Sequence, residues 1–198
     1  MHSNQIFRRH DEGDSIQLLR QRSFGTLAIN AEGGPLLAHV PFVLSKDASE
    51  VELHLVRSNP ILREIKEPQR VVLSVTGPHS YISPDWYGVE DQVPTWNYVA
   101  VHLRGELSIL DQGELSGVLD RLSAQFEQRI NGKAPWKSDK MTPDVLTKMM
   151  RMIVPCRLRI DDLQSTWKLY QNKTEAARHR AAHGVAAAGI GQEVDQLR

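Results

Sequence analysis

The sequence predicts a mainly β chain, an antiparallel β-barrel with peripheral helices and a helical C-terminal tail. Three observations lead there. FGTLAIN from Phe24, LLAHVPFVLS from Leu36 and VELHLVR from Val51 have the two-residue apolar period of half-buried strands, and EGGP and KDASE separate them as turns. Helical periodicity is gathered in blocks and does not alternate with strands one by one, which disfavours a doubly wound sheet. Neither GxGxxG nor GxxxxGK[ST] occurs, so no phosphate-binding loop of such a sheet is present.

Each element has a local reason. Asp11 or Asp14 can N-cap a short helix, DSIQLLRQRS, which buries Ile16, Leu18 and Leu19. The three β runs then make two hairpins. After Ser58–Pro60 a short helical stretch, ILREIKE, precedes the apolar run RVVLSVTGP, predicted to end at Gly77 and Pro78; this connection is long enough to cross over. Residues 81–96, rich in Pro, Gly and aromatics, read as a structured loop, and β alternation resumes from Tyr98 to Leu110. Leu115, Val118, Leu119, Leu122 and Phe126 recur at helical spacing behind a candidate cap at Asp111, and MTPDVLTKMMRMIV predicts a second helix. These helices form an insertion over about 112–153 in a domain spanning 1–172. Cys156, Leu158 and Ile160 return a strand to the sheet, and Thr174 or Asn172 caps a terminal helix. The Ala/Gly-rich stretch 182–191 makes 173–198 read as an appended tail.

With 24 basic and 24 acidic residues in 198, the formal charge is +0, and no long-range field steers the chain onto nucleic acid or anionic membrane. Cys156 is the single cysteine, which excludes an intrachain disulfide and any CxxC zinc or redox site; a reducing cytoplasm is the expected compartment. The polar, charged start carries no apolar signal core, and no run approaches the length of a membrane span, so neither export nor membrane anchoring is expected.

Candidate chemistry lies in three segments. In HLVRSNP, His54 to Pro60, Ser58 or Asn59 stands at an N-cap and Pro60 at N1; free amides there, with Arg57 beside them, would suit a phosphate, although an ordinary strand-to-helix junction reads the same way. In AHVPFV, Pro41 interrupts a strand, so His39, Val40, Pro41 and Phe42 lie at an edge or beside a flat ligand that replaces a pairing strand. Tyr81, Trp86, Tyr87, Trp96 and Tyr98 fall within 18 residues, and can stack on a ring, anchor an interface or form a minor core. His39, His54 and His102 fall on strands without HxxxH or HExxH spacing, so no metal site is assigned. ARHRAAH, with Arg178, His179 and Arg180, reads as a solvated helix face, and no helix-turn-helix pair is recognisable.

The segments AHVPFV, HLVRSNP, GPHSYISPDWY, VPTWNYVAVHLRG and KLYQNK, in this order, resemble the PaiB-type family of FMN-binding negative transcriptional regulators. The resemblance implies a split β-barrel of the flavin-reductase and pyridoxamine-phosphate-oxidase type, a homodimer with FMN at the subunit interface, and a role in repressing transcription. Carried over by residue, Arg57, Ser58 and Asn59 face the FMN phosphate, His39 to Phe42 flank the isoalloxazine, and His54 opens the phosphate motif. Trp96, Asn97 and Tyr98 belong to the signature loop, and Lys168, Gln171 and Asn172 to the terminal polar motif. The chain departs from the pattern at Ile61 and Leu62, where an aromatic is usual, and at Tyr170, where Ser is usual. The resemblance leaves two further functions open: an FMN-dependent oxidoreductase using NAD(P)H, and a haem-handling barrel with His39 or His54 as axial ligand. Contact with DNA would need a patch created by dimerisation.

Overall fold

The computed structural model describes residues 1–8 and 10–188. Six strands close a barrel in the order β1-β2-β3-β6-β5-β4, with β1 Phe24–Ile29, β2 Leu36–Leu44, β3 Glu50–Val56, β4 Gln69–Ile82, β5 Thr95–Ile109 and β6 Ile153–Lys168. Since β4 does not neighbour β3, the chain crosses over between them, as in a Greek key; α2 (Ile61–Glu64) lies in that connection. The described residues form two compact units, one of 1–18, 76–101 and 164–188, the other of Leu19–Val75 and His102–Leu163.

In the second unit the predicted hairpin β1–β2 pairs from Phe24↔Pro41 to Ile29↔Leu36, and β1 also pairs with β4. Alternation turns Leu27, Phe42, Leu53, Leu73, Leu103 and Leu158 fully inward. Cys156 is buried opposite Leu53, and desolvation pushes its thiol up to about 12, which makes it unreactive near neutral pH. Helix α3 (Leu115–Glu127) packs on β2 and β3; Leu115, Val118 and Leu122 are buried, while Leu119 and Phe126 stay half-buried. Asp111 caps a short 3-10 turn ahead of α3, accepting from Gly113 N at 2.7 Å.

One charged network ties this unit together. Arg121 donates to Glu52 at 2.6 and 3.0 Å, and Arg157 reaches Glu52, Glu50 and Glu114. Burial of Glu52 works to raise its carboxyl, but the bonds and charges of Arg121 and Arg157 outweigh it and hold the group below its ordinary 4.5. A carboxylate depressed in the folded state stabilises above its unfolded pKa, and that contribution disappears as pH falls through the folded value. Urea unfolding should therefore show wild type losing its advantage over Glu52→Gln as pH drops below about 4.5; a difference independent of pH would refute the coupling.

In the first unit, Asp11 accepts from Gly13 N at 2.7 Å near the start of α1 (Glu12–Arg22), and buried Ser15 accepts the Trp167 indole N–H at 3.1 Å. Helix α5 (Glu175–Ala188) is capped by Thr174, as expected, whose hydroxyl accepts from Ala177 N.

The structure corrects four expectations. β4 runs through Gly77 and Pro78 to Ile82, and its buried positions change from odd to even there, so one extra residue is absorbed without ending the strand. Gly77 permits this, because a Cβ would lie within 3.0 Å of Leu18 and Val99 side-chain atoms. β5 begins at Thr95. The second insertion helix, α4 (Pro143–Met150), stops short of Ile153 and Val154, because pairing with β3 (Val56↔Ile153, Leu55↔Val154) overrides their helical period. Finally, α5 is no loose appendage: Ala177, Ala181 and Val185 are buried with Ile82, Tyr87 and Tyr170, and Arg180 donates to Tyr87 O at 2.7 Å. Residues 189–198 of the expected tail lie outside the described residues.

The α5 contact is tight enough to test. A Cβ on Gly184 would stand 2.5 Å from the Trp86 ring. Alanine gains about 1 kcal/mol of helix propensity over glycine, but overpacking costs roughly 1–3 kcal/mol. Gly184→Ala should therefore destabilise by thermal unfolding, whereas a raised Tm would show that Trp86 yields freely.

Candidate functional site

The first group of predicted residues lies on β2, β3 and the turn beyond. β2 pairs with β3 only from Phe42↔Leu53 to Leu44↔Val51, so the ladder stops at Pro41, which has no N–H to give. Ala38 to Pro41 keep β1 on one side while the other edge lacks β3. Phe42 points into the core with no exposure, and Val40 is buried, while His39 is exposed. The side chains of Val40 and Phe42 are therefore turned away from a surface ligand by the period of the strand, and the Phe42 backbone is already engaged, its N donating to Ser23 O at 3.0 Å and its carbonyl accepting from Gln125 at 3.3 Å.

His54 stands half-buried on β3 and, with Pro41, lines a cavity of about 280 Å³ closed on the helical side by Leu119, Leu122, Phe126 and Trp136. Its Nδ1 is buried without a hydrogen-bond partner. Desolvation lowers its pKa, which favours a neutral imidazole. Trp136 is positioned by Glu127, whose carboxylate accepts from Trp136 N at 2.7 Å and from Lys133. Those hydrogen bonds, from Lys133 and then from the Trp136 amide, hold the Glu127 carboxyl below its usual range. Glu127→Gln should accordingly loosen the 131–140 loop, read as an altered Trp136 emission at neutral pH; an unchanged spectrum would remove Glu127 as its anchor.

The phosphate reading of the next turn needs correction. α2 is a single turn, and its first amides are satisfied internally: Ile61 N donates to Asn59 Oδ1 at 3.0 Å and Leu62 N to Asn59 O at 3.1 Å. The expected cradle of free amides is therefore absent, because the short Asn59 side chain reaches forward two residues to the Ile61 amide as an Asx turn, ahead of Pro60 at the N-cap. Ser58 is exposed. Arg57 is exposed but anchored: Nε donates to Arg151 O at 2.8 Å and Nη2 to Gln112 Oε1 at 2.8 Å and Ile153 O at 3.3 Å. Nη1 carries the donors left for a ligand.

The other predicted residues lie in the first unit. Trp96 is 55% exposed, with His79 and Tyr81 rings 6.2 and 6.3 Å away. Asn97 is buried with an unpartnered Nδ2, and Tyr98 is half-buried. Lys168 donates to Thr95 Oγ1 at 2.6 Å, and burial lowers its pKa. Gln171 folds back on its own segment, accepting from Leu169 N and donating to Trp167 O, while Asn172 is exposed. Tyr170 occupies the left-handed region at φ 68, and burial, reinforced by Tyr87 and opposed by Asn97, pushes its hydroxyl up to about 12. Of the aromatic cluster, Tyr87 is buried and joins Tyr170 edge-on, so that part is minor core. The structure brings the signature loop and the terminal polar motif together through Lys168 and Thr95.

Sequence reasoning missed Gln112, Glu127 and Trp136 as site residues. Leu119 and Phe126 were legible as apolar helix positions, but their period equally fits core.

A family with the description "Putative FMN-binding domain" matches residues 1–162. The protease synthase and sporulation protein PAI 2 of Bacillus subtilis (strain 168) is 34% identical over 159 residues, 79% of this chain and 75% of that protein. The chain belongs to the PaiB-type FMN-binding family. Among solved structures, the FAD and heme binding protein from Mycobacterium smegmatis has a TM-score of 0.60 at 18% identity, covering 93% of this chain and 82% of that one. The flavocytochrome Anf3 from Azotobacter vinelandii has a TM-score of 0.60 at 13% identity, covering 84% and 72%. These two likenesses extend the split-barrel fold of the family to proteins of distant sequence.

Proposed function

We propose that this protein is a homodimeric FMN-binding split barrel that acts as a negative transcriptional regulator. The observation that carries the flavin part is the broken β2 edge at Pro41 beside a mostly apolar cavity lined by Leu119, Leu122, Phe126 and Trp136. Exposed backbone groups suit the polar edge of a flat ring, and apolar walls suit its faces. Arg57 would hold the phosphate through Nη1, with the Ser58 hydroxyl beside it; bonds to Arg151, Ile153 and Gln112 keep the guanidinium oriented. His39 would flank the ring from the exposed face of β2. In the first unit, Trp96, Asn97, Tyr98, Lys168, Gln171 and Asn172 are the further candidates toward the cofactor; Lys168 offers an ammonium held by a single hydroxyl partner. Bound FMN would supply reversible electron transfer.

The homodimer is supported within each unit by apolar side chains facing solvent. Phe24 and Leu37, exposed 54% and 59%, lie on β1 and β2, and Val93 is exposed 72% a few residues before Trp96. Light scattering at micromolar concentration should give a dimer, and a monomer there would count against it. The regulator role is supported by the likeness to the PAI 2 protein. A neutral chain argues that operator contact arises at a surface made by two copies. Absorbance of the purified protein with and without added FMN tests the cofactor, and co-eluting yellow colour is the expected result. Titration of promoter fragments at two salt concentrations tests the regulator, since direct binding must weaken with salt.

A further inference from the structure

A second cavity, of about 420 Å³, shares Ser123 and Trp136 with the one that His54 lines. The proposed flavin contacts make no use of it. Its place follows from the period of α3: Leu115, Val118 and Leu122 turn into the core, while Asp120, Ser123 and Ala124 share another face, with Gln128 one turn further on. The 131–140 loop supplies the opposite wall, and that wall is fastened before any ligand arrives. Glu127 accepts from the Trp136 amide at 2.7 Å, and the Ser138 hydroxyl donates to Asp120 at 3.0 Å. The amides of Lys140 and Met141 close a short turn onto the carbonyls of Lys137 and Ser138, at 3.2 and 3.0 Å.

Size, surface and charge restrict the occupant. The volume lies in the lower part of the roughly 300–1,000 Å³ range of ligand pockets, so the cavity takes one small molecule. Ala124, Pro135 and the Trp136 ring give it an apolar, flat floor. Both signs of charge stand around that floor. Lys137 and Asp139 flank Ser138 in the chain, and Asp120 is drawn to the same turn by the Ser138 hydroxyl. Among the described residues neither Lys137 nor Asp139 forms an ion pair, and Asp120 has the Ser138 hydroxyl alone. The remaining polar groups are neutral: the Ser123 hydroxyl and the Gln128 amide donate or accept, and the Trp136 indole N–H donates. A simple cation would meet repulsion from Lys137, and a simple anion from two carboxylates. A molecule that carries both charges beside a flat apolar group finds a counter-charge at each end.

We propose that this cavity binds a free amino acid with an aromatic side chain. The ring lies on Trp136, Pro135 and Ala124, the ammonium faces Asp120 and Asp139, and the carboxylate faces Lys137. This assignment holds whether or not the neighbouring cavity takes a flavin.

The experiment titrates the full chain with L-phenylalanine, with phenethylamine, which lacks the carboxylate, and with 3-phenylpropionate, which lacks the ammonium. Ligand signals are followed by saturation-transfer NMR at neutral pH. Phenylalanine should bind at least about tenfold more tightly than either analogue, the effect of one charge-assisted bond lost. Lys137→Met should erase the preference over phenethylamine and keep the preference over 3-phenylpropionate. The double variant Asp120→Asn, Asp139→Asn should do the reverse. Lys137→Arg retains the charge and should preserve both preferences, which separates loss of the cation from damage to the loop. Equal affinity for the three molecules, or no saturable binding of phenylalanine, would overturn the assignment. So would tighter binding of phenethylamine, which marks a simple cation site, and so would preferences that persist unchanged in both charge-removing variants, which place the ligand elsewhere on the chain.

Discussion

Gly105→Ala is expected to destabilise the protein by more than about 3 kcal/mol, a large part of the roughly 5–15 kcal/mol that holds a domain folded. Gly105 lies on β5, where a Cβ would stand 1.8 Å from Arg159 O, 2.8 Å from its carbonyl carbon and 3.1 Å from Ile160 Cα. All three atoms are backbone, so no rotamer change relieves the clash. Overpacking a site whose side chains can move already costs about 1–3 kcal/mol. Here β5 and β6 must separate locally, and each ladder bond lost adds about 0.5–1.5 kcal/mol. Gly117→Ala is the matched control: it lies within α3, and its nearest neighbour is the far end of Arg121 at 3.1 Å. Helix propensity should make that variant neutral or stabilised by up to about 1 kcal/mol. Urea unfolding of both variants decides the matter. A Gly105→Ala protein within about 0.5 kcal/mol of wild type, the range of ordinary surface substitutions, would refute the close approach.

Arg57→Ala is expected to weaken FMN binding by about 1.5–3 kcal/mol, roughly 10- to 100-fold, the range for hydrogen bonds to charged groups. The structure adds a way to separate charge from geometry. Because Nε and Nη2 are held by Arg151, Ile153 and Gln112, the guanidinium is fixed before any ligand arrives. Arg57→Lys retains the charge but cannot reproduce the fork, and should restore only part of the affinity. Gln112→Ala removes one anchor and should produce a smaller loss. Flavin titration of the three variants against wild type tests this, and an affinity unchanged in Arg57→Ala would remove Arg57 from the site.

Much of this fold could be read from local pattern. The alternation of Phe24–Ile29, Leu36–Leu44 and Glu50–Val56, with polar turns between, is enough for two hairpins, since a two-residue period places one face inward wherever the strand lies. Thr174 ahead of α5 and the apolar stripe of α3 were similarly local. Positions where a distant segment decides were read less well. Pro78 resembles a stop until Gly77 is seen to admit Leu18 and Val99; Ile153 and Val154 have helical spacing until β3 claims them.

The site divides along the same line. Sequence by itself determined which residue types gather: the proline that breaks β2, the arginine after β3, the single neutral-range imidazole between them and the family they identify. Only the tertiary structure decided how those groups are used. It turned Asn59 into an Asx turn that consumes the amides of α2, gave the Arg57 fork three backbone and side-chain acceptors, and brought Trp136 across a helix to roof His54. The physical reason is that a hydrogen bond or a cavity wall belongs to pairs of groups. Chain order gives their chemistry, but only packing sets which partner each one reaches.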